Sequence, residues 1–232
     1  SDNTNPGSNG AGLYTFGSPI IENCSFYENL ARFGAGLYAN SPSVTLLNCT
    51  FAGNTASIGG GAVDIANGNH VITGCIFLSN SATNYGGAVN VNSSTSATLT
   101  NCTFTSNTAA GGGAISNGQC TSILNNCDFY SNSSTGGATD LMSGGAIANY
   151  IGHVELDDCT FTTNTSYYGG GLWNYKGTVE LTNCDFDSNT AQQGGGVFNS
   201  HSSAVMSGCT LENNTALNYT GYTGGGAIYN SS

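Results

Sequence analysis

The chain has 232 residues, of which 2 are Lys or Arg and 13 are Asp or Glu, for a formal net charge of -11. Two cations cannot build the basic footprint that nucleic-acid binding needs, and an anionic membrane surface repels such a chain. Helix formers are scarce beside 35 Gly and 30 Asn, yet 38% of the residues are hydrophobic, so a β-rich arrangement must bury them.

In chain order, residues 1–9 read as a polar N-terminal arm without the character of a signal peptide, so an exported form would already have lost its leader. No later stretch approaches 18 apolar residues, so no membrane insertion is expected. From Gly10 the chain repeats. Cys24, Cys49, Cys75, Cys102, Cys127, Cys159, Cys184 and Cys209 follow one another at intervals of 25, 26, 27, 25, 32, 25 and 25 residues. Three residues before them stand Ile21, Leu46, Ile72, Leu99, Leu124, Leu156, Leu181 and Met206. Two residues after them stand seven Phe, from Phe26 to Phe186, and finally Leu211. Five residues after them stand Asn29, Asn54, Asn80, Asn107, Asn132, Asn164, Asn189 and Asn214. A glycine block leading into apolar residues separates the cysteines, as in Gly112-Gly113-Ala114-Ile115. Nine such blocks occur, the first two loose (Gly10 to Tyr14 and Gly34 to Tyr38) and the last at Gly224 to Ile228.

A period near 25 predicts an all-β fold: a single-stranded parallel β-helix of about nine coils, with about three short strands per coil. Coils stack about 4.8 Å apart, so equivalent residues lie above one another. The Asn positions then form a side-chain ladder, and Phe and Cys stack in the core. Charge is scarce because a charge repeated in every coil would repel itself. One domain, residues 1–232, is expected, with insertions near 133–143 and 217–223 emerging as surface loops.

The paired signature Phe104-x-x-Asn107 then Gly112-Gly113-Ala114-Ile115, repeated at Phe129-x-x-Asn132 and Gly144-Gly145-Ala146-Ile147, resembles the polymorphic outer membrane protein repeat of chlamydial surface proteins. The resemblance spans about residues 10–230. It implies a right-handed β-helix on a cell surface, with adhesion as its role and export through a C-terminal autotransporter barrel. These 232 residues contain no such barrel.

Several residues are candidates for chemistry. The cysteine column admits three readings: buried thiols, disulfides between coils, or a metal site, the last without histidines at zinc spacing. Cys120 stands outside the series, either exposed and able to pair with another molecule or simply buried. Of the Asn-x-Ser/Thr sequons, Asn132 and Asn164 belong to the ladder, and Asn92, Asn218 and Asn230 are the better glycosylation candidates. Glu155, Asp157, Glu180 and Asp187 form an acidic strip, a weak calcium candidate and the best location for a polysaccharide-active enzyme. Tyr219 and Tyr222 are candidates for ligand or subunit contact, whereas Trp173 is expected in the core column of Val63, Ile115 and Phe198. No catalytic residue and no cofactor is expected. Without visible end caps, the rod is expected to associate end to end or to form part of a longer stalk; the second reading is a carbohydrate- or host-binding adhesin.

Overall fold

The computed structural model describes residues 3–92, 95–137, 143–217 and 224–231. Its strands pair in parallel, each with its equivalent one coil away. The glycine blocks feed a nine-stranded sheet, from Leu13–Thr15 to Ile228–Ser231. An eight-stranded sheet precedes the cysteines, from Ile20–Glu22 to Ser203–Ser207. A second carries the phenylalanines, from Ser25–Tyr27 to Thr210–Glu212. A six-stranded sheet follows the ladder asparagines from Thr4–Asn5 to Ser133–Ser134, and bridges through Thr165 continue it to Thr190–Ala191 and Thr215–Ala216. The solenoid has about eight turns of about 26 residues, since nine strands in one sheet bound eight complete turns.

Each coil has four strands where about three were expected, because single left-handed residues fold it at more corners. Just before the cysteines, Asn23, Asn48, Asn101, Asn126, Asp158 and Asn183 have φ between 51° and 54°. Just before the ladder, Glu28, Ser79, Ser106, Ser131, Thr163, Ser188 and Asn213 have φ between 52° and 58°. Asn tolerates this region better than most residues with a Cβ, so its abundance has a backbone cause. The Asn-Cys-Thr sequons at Asn48 and Asn101 follow from it: a left-handed corner, a core thiol, then the first residue of a strand. Within the glycine block, Gly112 has φ of 65°, and a Cβ on Gly113 would collide with the Gly145 carbonyl oxygen of the next coil.

The side chains inside stack in columns. Phe26, Phe51, Phe77, Phe104, Phe129, Phe161 and Phe186 lie ring on ring, with centroids 4.3 to 5.2 Å apart and planes within 7°. Beside them run the Leu/Ile column before the cysteines and a column from Leu37 through Val63, Ile115 and Leu172 to Val197. The asparagine ladder is as expected and fully bonded. At Asn107, Nδ2 donates to Asn132 Oδ1 (3.0 Å) and to the Phe77 carbonyl (3.0 Å). Its Oδ1 accepts from the backbone N–H (2.9 Å) and Nδ2 (3.0 Å) of Asn80.

Several expectations need correction. Residues 3–9 are no arm: Asn3 donates to Asn29 Oδ1 at 2.8 Å as a further rung, and Thr4–Asn5 pairs with the strand Leu30–Phe33. The first insertion begins later than residue 133, because Ser133 and Ser134 still pair with Thr108 and Ala109. Residues 138–142 and 218–223 lie outside the described residues. Trp173 is buried, but in register with Ala148 and Phe198 on the opposite side of the sheet from Ile115; Leu172 fills the core column instead.

A second ladder was not anticipated. Asn117, Asn149, Asn174, Asn199 and Asn230 hand one amide proton upward at 2.8, 2.8, 2.7 and 2.6 Å. They continue a column that runs from Thr15 through Ala39, Ile65 and Val91.

Two expected outcomes follow from this backbone. Asn107→Ala strands a buried N–H and a buried carbonyl, each worth about 1–3 kcal/mol. Urea denaturation should show a loss of about 2–6 kcal/mol, and a loss under about 1 kcal/mol would contradict the ladder's role. Ile151 is β-branched, exposed, and held at φ of 57°. Ile151→Asn should therefore raise stability by about 1 kcal/mol, and a lowered melting temperature would contradict strain at that corner.

Candidate functional site

The wall outside the nine-stranded sheet differs from the other three. Alternate residues of its strands point outward, forming a column that runs Tyr14, Tyr38, Asp64, Asn90, Ser116, Ala148, Trp173, Phe198, Tyr229. Both ends of this column are aromatic. Tyr14 stacks on Tyr38 with centroids 5.1 Å apart, and Phe198 on Tyr229 at 4.8 Å. Trp173 lies 5.6 Å from Tyr175, and Tyr168 reaches over Phe198 at 4.7 Å. Of the chain's two cations, Lys176 sits at the end of this sheet, over the Tyr175 ring at 5.2 Å, and Arg32 on the adjoining six-stranded sheet, over the Phe33 ring at 5.4 Å. Both charges are turned to an aromatic face rather than to a carboxylate.

The centre of the wall is polar. Asp64 is fully buried, and its Oδ2 accepts from Asn90 Nδ2 at 2.7 Å. Its Oδ1 has no partner among the described residues. Burial pushes its carboxyl up to about 7, against the opposing hydrogen bonds of Asn90 and Asn92. Next to Asp64 opens a pocket of about 420 Å³ walled by Phe33, Ile58, Tyr85 and Tyr150, with Asn90, Asn92, Ser116 and Gln119 among its polar groups. His70, on the same coil, points inward. Burial lowers its pKa, its Nδ1 accepts from the Val44 N–H at 3.2 Å, and its Nε2 has no partner among the described residues.

The residues singled out from the sequence fall in several places. The column cysteines stand as thiols, buried from Cys49 to Cys184, half-buried at Cys209 and exposed at Cys24. Their Sγ atoms donate to carbonyls, as Cys102 does to Ile72 and Thr100 at 3.4 Å each. Neighbouring thiols and burial hold Cys75, Cys127 and Cys184 above the ordinary thiol range. Cys120 is buried, and its Sγ donates to the Gly118 carbonyl at 3.1 Å.

The acidic strip converges in three of its four residues. Glu155 and Glu180 are register neighbours and share a shallow depression with Asp157, but Asp187 lies on the phenylalanine sheet, bonded to Ser188 and Asn213. The corner at Asn183 turns the chain between the two faces. Glu155 is engaged with His153 at 2.8 Å, and no cluster of three or more potential metal ligands occurs among the described residues. Of the glycosylation candidates, Asn92 is half-buried beside the pocket, and Asn230 is the last rung of the second ladder, accepting from Asn199. Asn218, Tyr219 and Tyr222 lie outside the described residues. The Asp64 centre was missed in the sequence; its one signal is a lone carboxylate, one residue past the start of the apolar run after a glycine block, where Tyr38 and Asn90 stand in other coils.

The family described as "Right handed beta helix region" matches residues 61–232, well over half of the chain. The chain belongs to that family. This right-handed β-helix also matches the Chlamydia polymorphic membrane protein repeat over residues 48–65, the stretch from one left-handed corner through Phe51 and Asn54 to the next strand of the nine-stranded sheet. That repeat points to a surface-exposed passenger of the autotransporter type. No curated protein and no solved structure matches the chain.

The buried carboxylate gives the β-helix a definite pH dependence. The folded value near 7 lies above the unfolded value near 3.9, so the folded state retains a proton that the unfolded chain has released. Stability is therefore lost as pH rises toward and through about 7. Asp64→Asn removes this loss, so its stability relative to the parent should grow by about 3 kcal/mol between pH 5 and pH 8. Urea denaturation at the two pH values measures it, and a pH-independent difference would contradict a buried, protonated Asp64.

Proposed function

We propose that this β-helix is an extracellular, non-enzymatic surface protein, a rigid rod with a structural and adhesive role. The observation that carries this reading is the set of exposed or half-buried rings beside the nine-stranded sheet, Tyr14, Tyr38, Tyr85, Tyr150, Tyr175 and Tyr229, resting on the buried Trp173 and Phe198. The other walls expose large side chains singly, such as Tyr27, Val71, Ile76 and Tyr130, whereas this one groups rings against one another, as Tyr14 on Tyr38 and Phe198 on Tyr229. The match to a membrane-protein repeat supports display at a cell surface. The rod stacks end to end into a filament or forms one length of a longer stalk, and offers its side wall along that length.

Labelled chain should be retained on at least one surface in a panel coated with polysaccharides and matrix proteins, without releasing sugar or peptide fragments. Release of fragments would instead identify an enzyme, and no retention on any surface would remove the adhesive role. Electron microscopy of the same material tests assembly: filaments with an axial repeat near 40 Å support end-to-end stacking, and isolated rods remove it.

A further inference from the structure

We propose that the pocket beside Asp64 is a subsite for a neutral saccharide unit. The inference rests on the adhesive reading above and names the class of ligand. Three observations carry it. The first is the wall: Tyr85, 40% exposed, and the half-buried Phe33 and Tyr150 line the opening. A sugar ring presents C–H groups on its faces and hydroxyls around its rim, so it needs a flat apolar partner together with a ring of polar ones. The second is the polar set. Asn90, Asn92 and Gln119 are side-chain amides, each carrying donor and acceptor on adjacent atoms, which is the pattern a pair of neighbouring hydroxyls satisfies.

The third observation is Asp64 itself. It lies one rung from Asn90, is wholly buried, and holds the Asn90 amide at 2.7 Å. Its carboxyl also orients Asn90, one of the amides the ligand meets. The volume of about 420 Å³ is in the range of small-molecule sites. Charge selects against acidic sugars: the chain carries a net charge of -11, and Arg32 is occupied by the Phe33 ring.

Gly118 supplies the decisive variant. It lines the pocket, and a Cβ added there meets nothing within 4 Å, so Gly118→Trp fills the opening without distorting the coil. The intact chain, Gly118→Trp, Tyr85→Ala and the control Tyr130→Ala would be applied to immobilised neutral oligosaccharides, uronic-acid oligosaccharides and matrix proteins. Tyr130 is exposed on the phenylalanine sheet, away from the pocket. The expected result is retention on neutral oligosaccharides that falls at least tenfold in Gly118→Trp and Tyr85→Ala and is unchanged in Tyr130→Ala, with all four melting at similar temperatures. Retention confined to uronic acids, or equal retention by Gly118→Trp and the parent, overturns the proposal. Retention on matrix proteins alone also overturns it but leaves the adhesive reading standing, whereas no retention on any surface removes both.

Discussion

The structure depends on one constraint: every coil must lie in register on the next, so that each buried amide meets its copy. Asn107 illustrates it, since all of its side-chain bonds reach outside its own coil. A slip of one residue would leave buried donors and acceptors empty at once, at a cost of several kcal/mol per coil. The other regularities serve this register. Left-handed corners at Asn48 and Ser79 turn the chain in one residue, Gly113 lets successive coils approach, and flat Phe rings fill a column of fixed height.

Register also divides the rod along its length. The inner column beside the nine-stranded sheet is apolar at Ala39, Ile65 and Val91, and becomes an amide ladder from Asn117 onward. The outer column changes character in the same region, from the polar Asp64, Asn90 and Ser116 to Ala148, Trp173 and Phe198. Where the inside turns polar, the outside gains rings, and the second apolar cluster of Ala148, Trp173 and Phe198 lies against that part of the sheet.

The repeat was legible because a stacked fold writes its geometry into spacing. Cysteines at near-constant intervals, with Leu or Ile before them and Phe and Asn after them, define two corners and two core columns without any tertiary information. Offsets were harder wherever one residue decides which face a side chain takes. Trp173 and Leu172 are adjacent and both apolar, so composition could not tell which of them shared the column of Ile115; the pairing with Ala148 decides it. The second ladder was obscured because its column holds Thr, Ala, Ile and Val in the first four strands, and because Asn is common everywhere in the chain. Asp64 was hidden for a related reason. A lone carboxylate at a position occupied elsewhere by Tyr, Asn and Ser breaks the repeat, and its partners Asn90 and Asn92 lie a full coil away.

The two ladders share a sense that the rest of the fold does not cancel. In both, the Nδ2 of one coil donates to the Oδ1 of the following coil, so every amide turns its oxygen toward the low-numbered side of the rod. Aligned amides add their dipoles, as peptide units do along a helix. The β-helix is therefore an electrically polar object, although its formal charges are few. One transverse section presents acceptors and the opposite one presents donors, so two such rods meet favourably when they point the same way and unfavourably when they face each other.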